Sequence, residues 1–455
     1  MFREPSETAA AEHLPPRVHA PGLAVGLLYL AGRPDLASRM GSRRGPAAVV
    51  KIPGFGKSVA VSSPELAKQT FLAPPDVLLA GESSPLSRTL GKHSIFALDG
   101  DEHLRERRLL LPPFHGERMG AYNQIFEEEA LAEFASWKPG EDFATLEPMM
   151  RLTLNAILRA VFGAEDAEFD ELREVIPPLV KVGSVMTAIP ALQREFASWS
   201  PWSRFLSLRA QYDAVVNRLI DKAQADPDLE KRSDVLALLL QSRYDDGAAM
   251  TREQISDELL TILVAGHETT AGTLAWAVER LRRHPEILAR LIEEAREGGS
   301  ALREATIWEI QRTRPVIVAT ERIVAKPFTL GEWTVPPRMH VVVDHLGLHF
   351  DPKLFPEPHR FNPDRFLDAA PDTYSWVPFG GGRRRCAGAA FAKLEMDVVL
   401  RTLLTRCEWV TTGAKDERWR FRGVAFVPAK GGVARFSAID AAPAPEHSAA
   451  SALVA

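Results

Sequence analysis

Apolar residues recur at helical spacing over 104–111, 125–137, 147–162, 208–225, 235–243, 252–283, 285–297 and 389–407, and the spacing predicts a helix in each stretch. Two β-rich runs, 47–52 and 58–61, are separated by Pro53, Gly54 and Gly56 and predict a hairpin. Strand-like segments return at 322–329, 340–343, 419–427 and 433–436 among Pro and Gly turns. The pattern as a whole predicts a fold that is mainly α with a small β-rich region. One more apolar run, 20–32, is about half of what a membrane span needs and holds Pro21 and Gly22. It predicts a buried helix after the turn Leu14-Pro15-Pro16, not a transmembrane anchor, and it lacks the leading positive stretch of a secretory signal.

No repeat of fixed period interrupts this pattern, so a single domain is expected over 14–438, with disorder over 1–13 and over the Ala/Pro-rich tail 439–455. At 455 residues the chain is long enough to bury a large cofactor. With 45% hydrophobic and 25% charged residues it has the composition of an ordinary globular protein. A formal charge of −5 gives no global reason to expect nucleic acid as a partner. The two cysteines, Cys386 and Cys407, are too few for a disulfide framework and too far apart for a CxxC pair, which points to a reducing, cytoplasmic location.

Candidate chemistry concentrates in Trp376-Val377-Pro378-Phe379-Gly380-Gly381-Gly382-Arg383-Arg384-Arg385-Cys386-Ala387-Gly388, where a cysteine follows a glycine run and precedes a predicted helix. Glycine permits left-handed backbone and close approach to a flat ligand, and a helix N-terminus stabilises a thiolate. A metal-bound thiolate suits that place, while a buried structural cysteine is the commoner fate of a lone cysteine. Upstream, the 252–283 pattern is interrupted by Ala265-Gly266-His267-Glu268-Thr269-Thr270. A Thr hydroxyl that bonds back to a carbonyl one turn earlier bends a helix and opens a groove there. Read locally, Glu268 with Thr269 and Thr270 is a solvated acid beside two ordinary helix threonines; His267 is assigned to structure. Glu309 and Arg312, at i and i+3 before Pro315, and His103 and Arg107, at i and i+4, read locally as polar pairs on helix faces.

The order Phe379, Gly382, Arg384, Cys386, Gly388, five positions within ten residues, resembles the haem-binding loop of the cytochrome P450 family. The resemblance runs from about Leu14 to Phe436 and implies the cytochrome P450 fold, a haem b cofactor and monooxygenase activity. It implies that Cys386 is the metal ligand, that Phe379 packs beneath the haem near the sulfur, and that Arg384 pairs with a propionate. Gly388 and Ala265 join the cofactor-binding positions, with His103, Arg107 and Arg322 as further propionate partners. The 265–270 patch resembles the family's oxygen-binding helix, which makes Glu268 and Thr269 the acid and alcohol that deliver protons during oxygen activation. Glu309, Arg312 and Arg365 are implied to form a buried cluster behind the cysteine loop, Asp364 standing where the family more often has Glu.

For partners, the resemblance implies O2 and electrons from a separate ferredoxin or flavodoxin with its reductase, since no flavin or iron–sulfur domain follows Phe436. Arg105, Arg108, Arg383, Arg385 and Lys393 are expected to form a basic docking patch, or else a solvated face. Substrate contacts are expected from 73–97, from 176–205 and around Val264, Ala265 and Val318. Pro177, Met186, Phe196, Trp199, Trp202 and Phe205 suggest an apolar lid and a hydrophobic small-molecule substrate such as a terpenoid, steroid or fatty acyl chain. A monomer is expected. A haem sensor or carrier without turnover, or an isomerase or dehydratase on the same fold, would not need the Glu268–Thr269 pair.

Overall fold

The computed structural model describes residues 14–81, 84, 86–116, 119–163, 167–189, 192–194 and 199–440. The segment 1–13, most of the 439–455 tail, and Phe196 lie outside the described residues.

The spine of the molecule is one helix, Arg252–Leu281, buried along most of its length. It starts on a capping box: the Thr251 hydroxyl accepts from the Gln254 backbone N–H, and the Gln254 side chain accepts from that of Thr251. A helix buried on most of its sides needs partners on most of them. These are Leu146–Phe162, the lid helix Pro201–Ala225 with the second lid helix Ala167–Ala188 packed against it, and Ala389–Arg406, the cysteine helix. Trp276, fully buried on the spine, donates its indole N–H to the Phe426 carbonyl at 3.1 Å and ties the helix to the β-rich side.

On that side Ala47–Ile52 pairs antiparallel with Gly56–Val61, the predicted hairpin. Gly56–Val61 pairs parallel with His340–Asp344, which pairs antiparallel with Ala319–Val324 and places the short Leu78–Leu79 at the sheet edge. The strand expected over 322–329 is divided at Lys326-Pro327 into Ala319–Val324 and Phe328–Leu330, because proline cannot donate to the ladder. The 419–427 segment is a hairpin, Trp419–Arg422 against Ala425–Pro428. The last strand is Phe436–Ile439, paired antiparallel with Cys407–Trp409.

Ala167–Ala188, which no expected helix covers, is a helix although Pro177 and Pro178 lie inside it, so tertiary packing overrides the breaker signal. One expectation fails. The N-terminal helix, Gly22–Leu30, was expected to be buried, but only Val25 is, while Leu23, Leu27 and Leu30 are 74%, 56% and 71% exposed.

Candidate active site

A largely apolar cavity of about 1670 Å³ lies between the spine, the cysteine loop, the lid helices and the 419–428 hairpin. A typical small-molecule pocket is roughly 300–1,000 Å³, so this one has room for a large flat cofactor and a second molecule.

Cys386 stands on its wall. The loop before it needs its glycines: Gly380 and Gly382 have φ of +67° and +61°, and a Cβ on Gly382 would sit 2.0 Å from the Phe71 carbonyl oxygen. The Cys386 N–H donates to the Phe379 carbonyl at 2.9 Å, closing the loop, and Phe379 lines the cavity beside it. Cys386 is exposed, but into the cavity. The surrounding protein still crowds the sulfur enough for burial to dominate and raise its thiol, while the Gly388 N–H, Arg107 and Arg385 pull it back toward the thiolate. Cys407 has no such neighbours; it is buried and its thiol is pushed up to about 12 by burial alone. It is core, as expected.

The spine borders the cavity with Val264, Ala265, Gly266, Glu268 and Thr269. The expected interruption of the helix is absent, since Arg252–Leu281 is continuous. The back-bond is present: the Thr269 hydroxyl donates to the Ala265 carbonyl at 2.8 Å. Glu268 is buried, and burial raises its carboxyl above the ordinary value, against the Arg422 guanidinium that donates to it at 3.1 Å. His267 sits behind, its Nδ1 3.1 Å from the Leu263 carbonyl and its acidity shifted to about 4 by burial, in keeping with a structural role.

His103, Arg107, Arg322 and Arg384 come together at one end of the cavity. Burial, then Arg384 and Arg107, push His103 down to about 3, so its ring is neutral. Arg384 is lowered to about 10 by burial and by Arg322 and Arg107, against Asp99. Asp99 bonds Arg384 at 2.6 Å and is one carboxylate among three guanidinium groups. Arg107 donates to the Arg385 carbonyl at 2.6 Å, and Arg322 to the Glu321 carbonyl, also at 2.6 Å. The Glu321 side chain turns to His340 at 3.0 Å, and its charge reaches Arg322 through space. A cation cluster this buried with so little balancing charge is suited to a ligand bearing two carboxylates. Together with a thiol on the wall and a large, mostly apolar space, these residues fit a haem.

Behind the loop, Glu309 and Arg312 are fully buried and joined at 2.7 and 2.8 Å. Arg365 approaches Glu309 at 3.3 Å, and the Asn362 N–H donates to it at 2.9 Å. His349 completes the link: its Nδ1 lies 3.1 Å from the Arg312 carbonyl, and its Nε2 accepts from the N–H of Val377, two residues before Phe379. The basic patch is thinner than expected. Arg105 pairs with Asp246 at 2.7 Å, Arg108 with Asp245 at 2.9 Å, and Lys393 with Glu304, leaving Arg383 and Arg385 as its exposed remainder.

Sequence reasoning missed Asp99, His349 and Arg422. Each acts through a partner far along the chain, and no local spacing marks it. Asp364 pairs with Arg290 at 2.7 Å.

The sequence profile of the family described as Cytochrome P450 matches residues 39–433. Cytochrome P450 138 of Mycobacterium tuberculosis is 51% identical over 421 residues, covering 92% of this chain and 95% of the relative. Cytochrome P450 137 of the same organism is 38% identical over 419 residues, covering 91% and 87%. Among solved structures, the cyanobacterial CYP120A1 with retinoic acid bound superposes with a TM-score of 0.81 at 19% identity, covering 94% of this chain and all of that one. At that identity the likeness speaks for the fold alone.

Proposed function

The chain belongs to the cytochrome P450 family and is a haem-dependent monooxygenase, and from that premise we propose that it inserts one oxygen atom of O2 into a hydrophobic small molecule of terpenoid, steroid or fatty-acyl type. Members of the family generally draw electrons from a separate redox partner; here we assign a ferredoxin or flavodoxin, docked at Arg383 and Arg385, and a monomeric enzyme in the cytoplasm. Bound haem b supplies the iron at which O2 is activated.

The chain's own residues do the rest. Cys386 ligates the iron through sulfur, with Gly388, Arg107 and Arg385 favouring the thiolate. Arg107, Arg322 and Arg384 hold the propionates with neutral His103, whose N–H adds a hydrogen bond without further charge. Phe379 and Ala265 line the space on the cysteine and spine sides. Glu268, its carboxyl raised by burial, keeps a proton to higher pH than a free glutamate and passes it on when its contact with Arg422 opens. The Thr269 hydroxyl, now donating to Ala265, turns to relay it. The lid side chains Leu179, Val180 and Phe205 exclude water and offer no charge to a substrate.

One observation carries this reading: the Cys386 sulfur, the cation cluster and the Glu268–Thr269 pair all border a single, largely apolar cavity. The test is a spin-state titration of the holoenzyme with lauric acid, a sterol and a terpene alcohol, followed by turnover under isotopically labelled O2 with a ferredoxin and its reductase. Label in the product of the tightest-binding probe is the expected result. Substrate binding without labelled product, in a preparation that accepts electrons, overturns it.

A further inference from the structure

We propose that the turn at 244–247 is a built-in competitor of the electron carrier: its two carboxylates cover Arg105 and Arg108, and an acidic carrier protein must displace them to complete its docking. This rests on the reading above, in which such a carrier lands at Arg383 and Arg385. The root of the turn is fixed on the helix Gly100–Leu110. Tyr244 is buried, its hydroxyl donates to Glu106 at 2.7 Å and accepts from the Gln254 side-chain amide at 3.1 Å, and the Arg105 guanidinium lies over its ring at 3.9 Å. The turn itself is closed by its own backbone. The Gly247 N–H donates to the Tyr244 carbonyl at 2.8 Å, and the Tyr244 N–H to the Ala248 carbonyl at 2.9 Å.

The tip is held in another way. The Asp245 and Asp246 side chains are 87% and 60% exposed, yet they reach back to Arg108 at 2.9 Å and to Arg105 at 2.7 Å. Both guanidinium groups are exposed as well, so each pair stands in water, where ion pairs hold weakly and salt screens them. Asp246 also accepts from the Ala248 N–H at 3.0 Å and keeps that bond when Arg105 is released. A firm root under a weakly held acidic tip is a cover that can lift without unfolding anything.

What the cover hides adjoins the cysteine loop. The Arg107 guanidinium, on the same helix as Arg105 and Arg108, donates to the Arg385 carbonyl at 2.6 Å. Arg383 and Arg385 are exposed there, and neither pairs with a carboxylate among the described residues. With a formal charge of −5 the chain as a whole repels an acidic protein, so capture of one depends on local cations. Two of these are neutralised by the turn. A carrier whose carboxylates match Arg105 and Arg108 exchanges them for Asp245 and Asp246, whereas a weakly or wrongly charged protein finds only Arg383 and Arg385. The turn thereby raises discrimination between partners at the expense of affinity for all of them.

The test is the affinity of the holoenzyme for an oxidised plant-type ferredoxin, measured by surface plasmon resonance at low and high ionic strength. Asp245→Asn with Asp246→Asn is expected to tighten binding by about 3- to 10-fold at low salt, through faster association. The gain is expected to fade at high salt and to leave the reduced carbon monoxide spectrum unchanged. Glu141→Gln with Glu174→Gln, exposed on other elements, removes the same formal charge and is expected to leave affinity as it was. In a chain that already carries Arg105→Gln and Arg108→Gln, the asparagine pair is expected to gain nothing, because the turn has nothing left to cover. The proposal is overturned if the asparagine pair binds as wild type does, if the control pair gains as much, or if the gain survives without Arg105 and Arg108. Arg383→Gln separates this from the reading beneath it. If that change weakens binding while the asparagine pair does nothing, the landing site stands and the cover falls; if neither Arg383→Gln nor the loss of Arg105 and Arg108 alters binding, both fall.

Discussion

Behind the cysteine loop, Glu309 and Arg312 are wholly buried and joined by two hydrogen bonds, whereas at the mouth of the same cavity Leu30 and Ile189 stand half or more in solvent. At the cysteine end almost every group has a named partner: Phe379 for the Cys386 N–H, His349 for Val377, Asp99 for Arg384. At the mouth, side chains pack loosely and charges such as Lys181 face solvent. One end fixes a reacting geometry that cannot drift; the other admits molecules of differing shape and needs few fixed contacts. If the contrast is real, substitutions at the two ends will fail in different ways.

The largest effect is expected at Cys386. Cys386→Ser replaces the thiolate with a weak ligand, so turnover is expected to vanish and the reduced carbon monoxide complex to lose its thiolate-type absorption. A retained thiolate-type spectrum would move the ligand elsewhere and dissolve the comparison. Next comes Glu309→Ala, which strands Arg312 as an uncompensated buried charge and is expected to cost about 3–5 kcal/mol in urea denaturation. A loss under 1 kcal/mol would mean that the cluster is no more rigid than the mouth.

Thr269→Ala tests the zone between the two ends. Loss of a positioned hydroxyl in proton delivery is expected to lower product formation by about 10²-fold, with electrons diverted to hydrogen peroxide and substrate affinity unchanged. Simultaneous measurement of electrons consumed, peroxide and product reads this directly, and an unaltered coupling ratio removes Thr269 from the relay.

How far the sequence anticipated this contrast follows from what each end is made of. The cysteine end was legible because its chemistry is local: glycines forced by positive φ and a helix start sit within ten residues of Cys386. The helices Leu146–Phe162, Pro285–Arg296 and Ala389–Arg406 match their expected spans to within a residue at either end, since each buries one regular apolar face. The Arg422 contact to Glu268 was not legible, because a pair 154 residues apart leaves no spacing to read. Nor was the exposure of the N-terminal helix, because Leu23, Leu27 and Leu30 look the same in sequence whether they face a core or solvent. The lid was legible as an apolar stretch but not as a helix, because Pro177 and Pro178 are breakers that its packing overrides.

A smaller effect separates the ends by pH. Glu395, on the cysteine helix, is fully buried, and burial holds its carboxyl well above the ordinary 4.5, only the Thr270 hydroxyl pulling the other way; Glu258 on the spine is raised in the same sense. A folded-state value above the unfolded one contributes stability that is complete below pH 4.5 and is lost as pH rises toward the raised value. In that window the unfolded chain has released a proton that the native chain retains. Glu395→Gln is therefore expected to flatten the decline of stability with pH by about 1.4 kcal/mol per pH unit, measured by urea denaturation across the mildly acidic to neutral range. An unchanged slope would place the Glu395 carboxyl near its ordinary value.

The smallest effect is expected at the mouth, and its smallness is the point. Ile189 is 51% exposed at the end of a lid helix, so Ile189→Ser removes little buried surface and is expected to move stability by no more than about 0.5 kcal/mol. Because Ile189 also borders the cavity, the same change is expected to weaken binding of an apolar probe such as lauric acid in a spin-state titration by a few-fold, about 1 kcal/mol or less. Glu309→Ala should show the reverse pattern, with stability lost and the affinity of the surviving folded fraction kept. If Ile189→Ser instead destabilises the protein as a core substitution does, the mouth is part of the rigid framework, and selectivity must then arise from fixed shape at the spine, around Val264 and Ala265, instead of from a yielding rim.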